Sequence, residues 1–357
     1  MEIITYEIQK GDTLQSIAEK HDITVKELVY FHNQHCGITQ QIIGDNIPFH
    51  INYLYINLAN SNSFKPIESL VLEFNDFNEL NYQSNHITEI YINGGELSKY
   101  SQFQKFKLDF NSTNHTFNLN VYDNNIGDNL ELLEKFDGLI EKIVRLKDNL
   151  LIAVDSRGEI MEVLNKIDLR NKWSELKSGF IENEILKEVP KQNLEEMLSK
   201  GDLEFSDNYP LAEELKKSVF HSHLFFPFYN QEFKTDFTNS LKDSGVVSSL
   251  FPNTIIPLKS ILLLIDNEHD NEYIFKIESQ IDKSKLDYSK LEKLYHNNYP
   301  FLKDNFVKYS LDITRFYAIN KKTLQINFVD VEIEEVVNNN LEAYQKLEIE
   351  KINNNES

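Results

Sequence analysis

The spacing of apolar residues changes period twice within the first fifty positions. Ile3 to Ile8 reads as a short strand, with Tyr6 and Ile8 on one face at period two. Gly11-Asp12-Thr13-Leu14 then turns the chain, and Thr13 or Asp12 caps a helix carrying Leu14, Ile17 and Ala18 on one face. His21-Asp22 ends that helix. Thr24 caps a second one, with Glu27 completing a capping box and Val25, Leu28 and Val29 as the apolar face. Asn33 falls just beyond it. Gly44-Asp45-Asn46 leads into a second strand, Ile47 to Ile51, in which Pro48 suits an edge or a strand start.

From residue 53 the pattern is that of half-buried antiparallel strands. Short strands are predicted at Tyr53–Ile56, Ser69–Phe74 and Thr88–Ile92, the last ending at the turn signal Asn93-Gly94-Gly95. Phe106, Leu108 and Phe110 alternate, as do Phe117, Leu119 and Val121. A short helix is predicted at Asp128–Phe136, then a meander of Ile140–Leu146, Leu150–Val154 and Glu159–Leu164. Helices follow: one capped by Asp168 and carrying Trp173, Leu176 and Phe180, then three between 185 and 245. The last of these runs through Phe233, Phe237 and Leu241. Strands return at Ser260–Ile265 and Glu272–Ile281. A helix at Leu286–Tyr295 precedes two long strands, Phe306–Tyr317 and Leu324–Ile333, joined at Asn320-Lys321-Lys322. Leu341, Tyr344 and Leu347 form a helical stripe near the end. The fold class is α+β: a βααβ module at 1–52 and a larger mixed domain at 53–335, with a polar helical tail at 336–357. The large domain is β-rich over 53–165, helical over 166–250 and β-rich over 255–335.

The first fifty residues resemble the LysM family on Tyr6, Ile8, Gly11, Asp12, Thr13, Leu14, Ile17, Ala18, Ile23, Leu28, Asn33, Gly44 and Ile47, in that order and at fitting spacing. His21 stands where the family commonly has Tyr or Phe, and Ile42-Ile43 replaces the more common Pro-Gly. The resemblance implies a module binding N-acetylglucosamine-containing glycans such as peptidoglycan or chitin. The implied shallow groove lies between Gly11, Asp12, Thr13 and Leu14 on one side and Ile42, Ile43, Gly44, Asp45 and Asn46 on the other. LysM-like modules also dock parts of phage tails and contractile injection machines. The body resembles no family.

Charge narrows the partners. With 36 Lys+Arg against 57 Asp+Glu, the 357-residue chain carries a net charge of −21. That is a poor match for nucleic-acid phosphates or anionic lipid surfaces. One cysteine, Cys36, excludes an intramolecular disulfide and a cysteine-rich zinc site. The N-terminus lacks a basic and apolar signal, and the longest apolar run, Ile261 to Ile265, is far too short to span a bilayer. These features predict a cytoplasmic protein without membrane insertion, exported only by a signal-independent machine.

Candidate chemistry is sparse. His221 and His223 at i, i+2 would share a face on a strand but diverge at a helix end, and no third ligand is marked, so no metal is predicted. Asp266 to Glu272 lacks the central Gly of a calcium loop and reads as a solvated hairpin tip. Asp155 to Glu159 reads as a hairpin loop in which Gly158 supplies the positive φ. No hydrolase elbow, zinc-protease pair or nucleotide loop is present, and neither catalytic residues nor a cofactor are predicted. Phe220, Phe225, Phe226, Phe228 and Tyr229 crowd one stretch around Pro227, either as a buried crossing or as an exposed patch for a protein partner. The first reading is therefore a non-enzymatic docking protein, an accessory, adaptor or cargo component of a contractile injection (type VI-like) apparatus. The alternative is a peptidoglycan-binding wall protein or injected effector whose body is an unrecognised hydrolase or toxin.

Overall fold

The structure is a computed structural model that describes residues 3–9, 12–21, 23–36, 40–42, 47–48, 51–57, 70–128, 142–181, 191–233, 239–241, 244–266, 271–302, 305–338 and 340–352. The chain divides into two compact units, residues 1–68 and 69–357.

The first unit runs β1 (Ile3–Glu7), α1 (Leu14–Lys20), α2 (Val25–His35) and β2 (Tyr53–Asn57). The strands pair antiparallel, Ile3 opposite Asn57 and Glu7 opposite Tyr53. Leu14, Ile17, Ala18, Leu28, Ile42, Ile51, Leu54 and Ile56 form its core. Such a small unit depends on this one cluster, against which Ile4, Tyr6, Ile8, Ile23, Val25, Val29 and Ile47 pack partly buried. The second strand is not at Ile47–Ile51 as the pattern suggests. The Ile51 N–H instead donates to the Pro48 carbonyl at 3.0 Å, closing a turn, and the strand begins at Tyr53. Leu54 and Ile56 alternate inward there, so a segment read as the start of the body completes the module.

The second unit is organised by one antiparallel sheet. Its strands are β4 (Phe77–Ile92), β5 (Gly95–Asn111), β6 (Thr116–Asp128), β7 (Asn149–Val154), β8 (Ile160–Val163), β10 (Asn239–Ser240), β11 (Ser244–Val247), β12 (Ile255–Asp266), β13 (Glu272–Ile281), β14 (Tyr309–Asn320), β15 (Ile326–Val337) and β16 (Leu341–Ile352). The order is β10-β12-β13-β14-β15-β16-β4-β5-β6-β7-β8, with β11 also on β12. A separate pair joins β3 (Leu70–Val71) to β9 (Glu232–Phe233). The β4–β5 turn has Asn93 at φ 51° and Gly94 at φ 76°, the positive values a two-residue hairpin loop demands.

Helices α3 (Lys166–Ile181), α4 (Lys191–Glu204), α5 (Leu211–Lys217) and α6 (Val219–Leu224) fill the middle of the chain, and α7 (Tyr288–Asn298) separates β13 from β14. Trp173 of α3 lies against Gly201 of α4 and stacks on Phe205 at 5.6 Å.

Three expectations for the body change. The stretch Leu341–Ile352 is a strand, not a helix. Leu341, Ala343, Leu347 and Ile349 are buried at strand periodicity, and β16 lies between β15 and β4. Arg145–Lys147 forms a 3₁₀ turn where the end of a strand was predicted. Phe233 and Asn239–Ser240 lie in short strands where a third helix was predicted. The helix predicted at 128–136 falls, after Asp128, outside the described residues.

Candidate functional site

The first strand–helix turn of the N-terminal unit is built by local hydrogen bonds. Tyr6 Oη and the Gln9 N–H both donate to Asp12 Oδ2 at 2.8 Å. With Lys20 nearby, these donors hold the Asp12 carboxyl below its usual range. Thr13 caps α1: Ser16 N–H donates to Thr13 Oγ1 at 3.0 Å and Thr13 N–H donates to Ser16 Oγ at 2.9 Å. This is a capping box closed by Ser16, one that the sequence reading missed. At the expected Thr24 box, Leu28 N–H donates to the Thr24 carbonyl, while the Glu27 side chain lies outside the description.

Ile42 is tied down from α2. Asn33 Nδ2 donates to the Ile42 carbonyl at 2.9 Å, and the Ile42 N–H donates to Asn33 Oδ1 at 2.8 Å. One side chain thus satisfies both backbone groups of one residue. His32, fully buried, adds a second tether: Nε2 bonds the Gln40 carbonyl at 2.9 Å and Nδ1 accepts the Tyr55 N–H at 3.2 Å. That pairing requires the neutral Nε2–H tautomer, and burial lowers the imidazole pKa accordingly.

Of the nine groove residues predicted, Asp12, Thr13, Leu14 and Ile42 are described; Gly11, Ile43, Gly44, Asp45 and Asn46 lie outside the described residues. Leu14 and Ile42 share the module core, so both loops hang from one cluster. Each is only 2% exposed, its side chain packed into that core. Thr13 is exposed and Asp12 half-buried. His21, at the family's aromatic position, meets Tyr6 edge-on at 5.5 Å. A strip of half-buried rings was not anticipated: Phe31 stacks on His35 at 4.1 Å, and Tyr55 lies 6.4 Å from His35 and 5.4 Å from Tyr53. Its signal in the sequence is Phe31 and His35 four apart on a helix, with Tyr53 and Tyr55 two apart on a strand.

In the body, the aromatic stretch is core. Phe220 meets Phe106 at 5.2 Å, Phe225 meets Phe117 at 5.0 Å, Phe228 meets Tyr317 at 4.7 Å and Tyr229 meets Phe74 at 3.9 Å. These four are buried and Phe226 is half-buried, so the buried crossing replaces the exposed partner patch. His221 and His223 sit on α6. His221 Nδ1 bonds Ser218 Oγ at 3.0 Å and His223 Nδ1 bonds the Val219 carbonyl at 2.6 Å. Burial pushes each down to about 3. Among the described residues no group of three His, Cys, Asp or Glu is placed to hold a metal.

The Asp155–Glu159 loop is a hairpin turn, with Gly158 at φ 96° and the Asp155 carboxylate accepting the Arg157 and Glu159 N–H groups at 2.9 Å. Residues 267–270 of the acidic turn lie outside the described residues. Cys36 is half-buried, and burial raises its thiol pKa. Among the described residues no helix is long and apolar enough to cross a membrane.

A cleft of about 440 Å³ opens between the face of β4–β6 and α6. Its polar wall is a relay: Tyr100 Oη donates to Gln102 at 3.1 Å, Gln102 to Asn124 at 3.0 Å, and Asn124 to Asp148 at 3.4 Å. Lys147 pairs with Glu204 at its rim, and His86 and His221 complete it.

No curated protein matches the chain. A solved structure described as "Lipid-protein interactions in lipovitellin" resembles it with 9% identity and a TM-score of 0.40, over 79% of this chain and 26% of that one. The chain thus spans about a quarter of the lipovitellin chain. Residues 6–29, from Tyr6 on β1 to Val29 on α2, match the family model described as LysM domain, and the N-terminal unit carries that domain.

Proposed function

We propose that this is a non-enzymatic binding protein whose N-terminal module docks onto N-acetylglucosamine-containing glycan, peptidoglycan being the first candidate. The observation that carries this reading is the pair of loops hung from one core. The Asp12–Thr13 turn is locked by Tyr6, Gln9 and Ser16, and the Ile42 loop is locked by Asn33. A turn at Asp12–Thr13 and an anchor at Ile42 that are held before the ligand arrives spare the binding step part of its ordering cost. Exposed Thr13 retains a hydroxyl hydrogen to donate, since its oxygen accepts from Ser16 in the cap. Sugars present hydroxyl and N-acetyl groups that such donors and backbone groups can meet.

The test is sedimentation of the full chain with insoluble peptidoglycan beside Thr13→Arg, which puts a bulky cation on the exposed turn. Wild type in the pellet and the variant in the supernatant supports the reading. Wild type wholly in the supernatant refutes glycan binding and turns the module into a protein-docking element, the role that contractile injection machines give such modules.

A further inference from the structure

The core face of the large sheet holds a cation with no counter-charge among the described residues. Arg315 stands on β14 between Ile313 and Tyr317, and all three side chains are buried on one face by strand alternation. Its neighbours across the sheet are Ile277 on β13 and Val331 on β15, both buried. The guanidinium makes one hydrogen bond among the described residues, from Nη1 to Ser279 Oγ at 3.1 Å. Nε is buried and unpartnered, and so is the hydroxyl of Tyr317. No carboxylate pairs with this arginine among the described residues. Burial lowers its pKa, and the neighbouring His223, itself buried, is pushed down partly by the charge of Arg315.

Folded chains rarely bury an ionised group alone, because desolvation is repaid only by an opposite charge and full hydrogen bonding. Ser279 is hydrogen-bonded to Ser260 at 2.7 Å, and the Nε/Nη2 edge of Arg315 is the fork that fits a carboxylate with two parallel bonds. Around it the wall is hydrocarbon: Ile277, Ile313 and Val331 in the sheet, with Phe226 and Phe228 seated on Tyr317 at 5.3 and 4.7 Å. We propose that Arg315, with Tyr317, receives the carboxylate of a ligand with an apolar body, held against the core face of the sheet. The charge selects the head group and the surroundings select the body. This site lies in the second unit and does not depend on the glycan reading of the first.

The probe is decanoate, titrated into the full chain while binding is followed by calorimetry and melting by the fluorescence of Trp173, the chain's one tryptophan. Decanol, acetate and inorganic phosphate serve as controls for body and charge. Decanoate is expected to bind once per chain and raise the melting temperature by several degrees, with the three controls inert at the same concentration. Arg315→Met is expected to melt no lower than wild type without ligand and to bind decanoate at least about tenfold more weakly. Should Arg315→Met fail to fold, Arg315→Lys keeps the charge but loses the fork, and Tyr317→Phe removes the free hydroxyl. Each is expected to weaken binding several-fold. Decanoate without effect, phosphate or decanol as effective as decanoate, or unchanged binding in the Arg315 and Tyr317 variants would overturn the proposal.

Discussion

Asn33→Ala is the sharpest test of how the N-terminal module holds its site. The wild-type amide makes two hydrogen bonds to one residue, 2.9 Å to the Ile42 carbonyl and 2.8 Å from the Ile42 N–H. Alanine removes both and leaves two backbone groups of a buried residue to find water. Each bond contributes about 1 kcal/mol net, and an unsatisfied buried group costs about 1–3 kcal/mol, so the loss is about 2–4 kcal/mol. A unit this small has a total stability of about 3–8 kcal/mol, so the change is a large fraction of it. The Ile42 side chain is core, so a loosened loop also loosens its contact with Leu14. Hydrogen exchange followed by mass spectrometry reads this directly. Protection around Ile42 and Tyr55 is expected to fall at least about tenfold, while the body strands β14–β16 keep theirs. Asn33→Asp separates the two bonds, since the carboxylate still accepts from the Ile42 N–H but faces its carbonyl without a donor. It is expected to fall between wild type and alanine at neutral pH. Unchanged exchange at Ile42 in Asn33→Ala would refute the clamp, and with it the idea that the second loop is positioned before ligand arrives.

Three further outcomes concern stability. Glu335 is 1% exposed and accepts from Ser248 Oγ, Tyr309 Oη at 2.9 Å and the Ser249 and Leu250 N–H groups at 2.8 and 3.3 Å; Glu335→Ala is expected to cost about 3–5 kcal/mol in urea unfolding, and a loss under about 1 kcal/mol would show the network to be dispensable. His86 is held down to about 4, and His221 and His223 to about 3, all chiefly by burial, so the unfolded chain takes up protons first once the pH drops below about 6.5. Their contribution is whole above that value and is lost on acidification toward the folded-state values; the urea midpoint of the body is expected to be lower at pH 5 than at pH 7, with His221→Asn flattening the difference, and equal midpoints in wild type would contradict this. A Cβ on Gly201 would lie 2.2 Å from Cζ2 of Trp173, so Gly201→Ala is expected to lose up to about 2 kcal/mol despite better helix propensity and to shift Trp173 emission to the red; a higher melting temperature would contradict the close packing.

The N-terminal helices were legible because their determinants are local. Thr13 caps the helix that its own next turn completes, and Leu14, Ile17 and Ala18 are neighbours along it. Strand β2 was legible as a strand but not as part of the module, because Tyr53-Leu54-Tyr55-Ile56 alternates whichever unit it joins, and only pairing with Ile3–Glu7, about fifty residues away, decides. The C-terminal stretch shows a competition of periods. Leu341, Tyr344 and Leu347 fit a helix, whereas Leu341, Ala343, Leu347 and Ile349 fit a strand, and the open edges of β15 and β4 select the strand. Arg315 carried a signal that was passed over, a charge at the inward phase of an alternation that also contains Ile313 and Tyr317. Leu14 and Ile42 were read as groove residues because the same pattern marks an apolar residue whether it faces a ligand or the core, and the structure buries both in the module core.

Strand β16 explains why the body behaves as one sheet although its sequence reads as two β-rich ends around a helical middle. Strands β4–β8 pair through near neighbours, and so do β12–β15. The two groups meet where Leu341 pairs with Ile92, a separation of 341 − 92 = 249 residues, and continue to Ile352 opposite Asn81. Closing so long a loop costs entropy before any pairing is gained, so this ladder is expected to form after each local group is in place. Ala343 and Leu347 are buried within that seam, and Val331, Leu347 and His86 lie in register across it. Arg315 is opposite Val331 in the same row. The seam thus completes the face on which Arg315, His86 and the polar cleft all lie, and that face exists only once the last strand is in place.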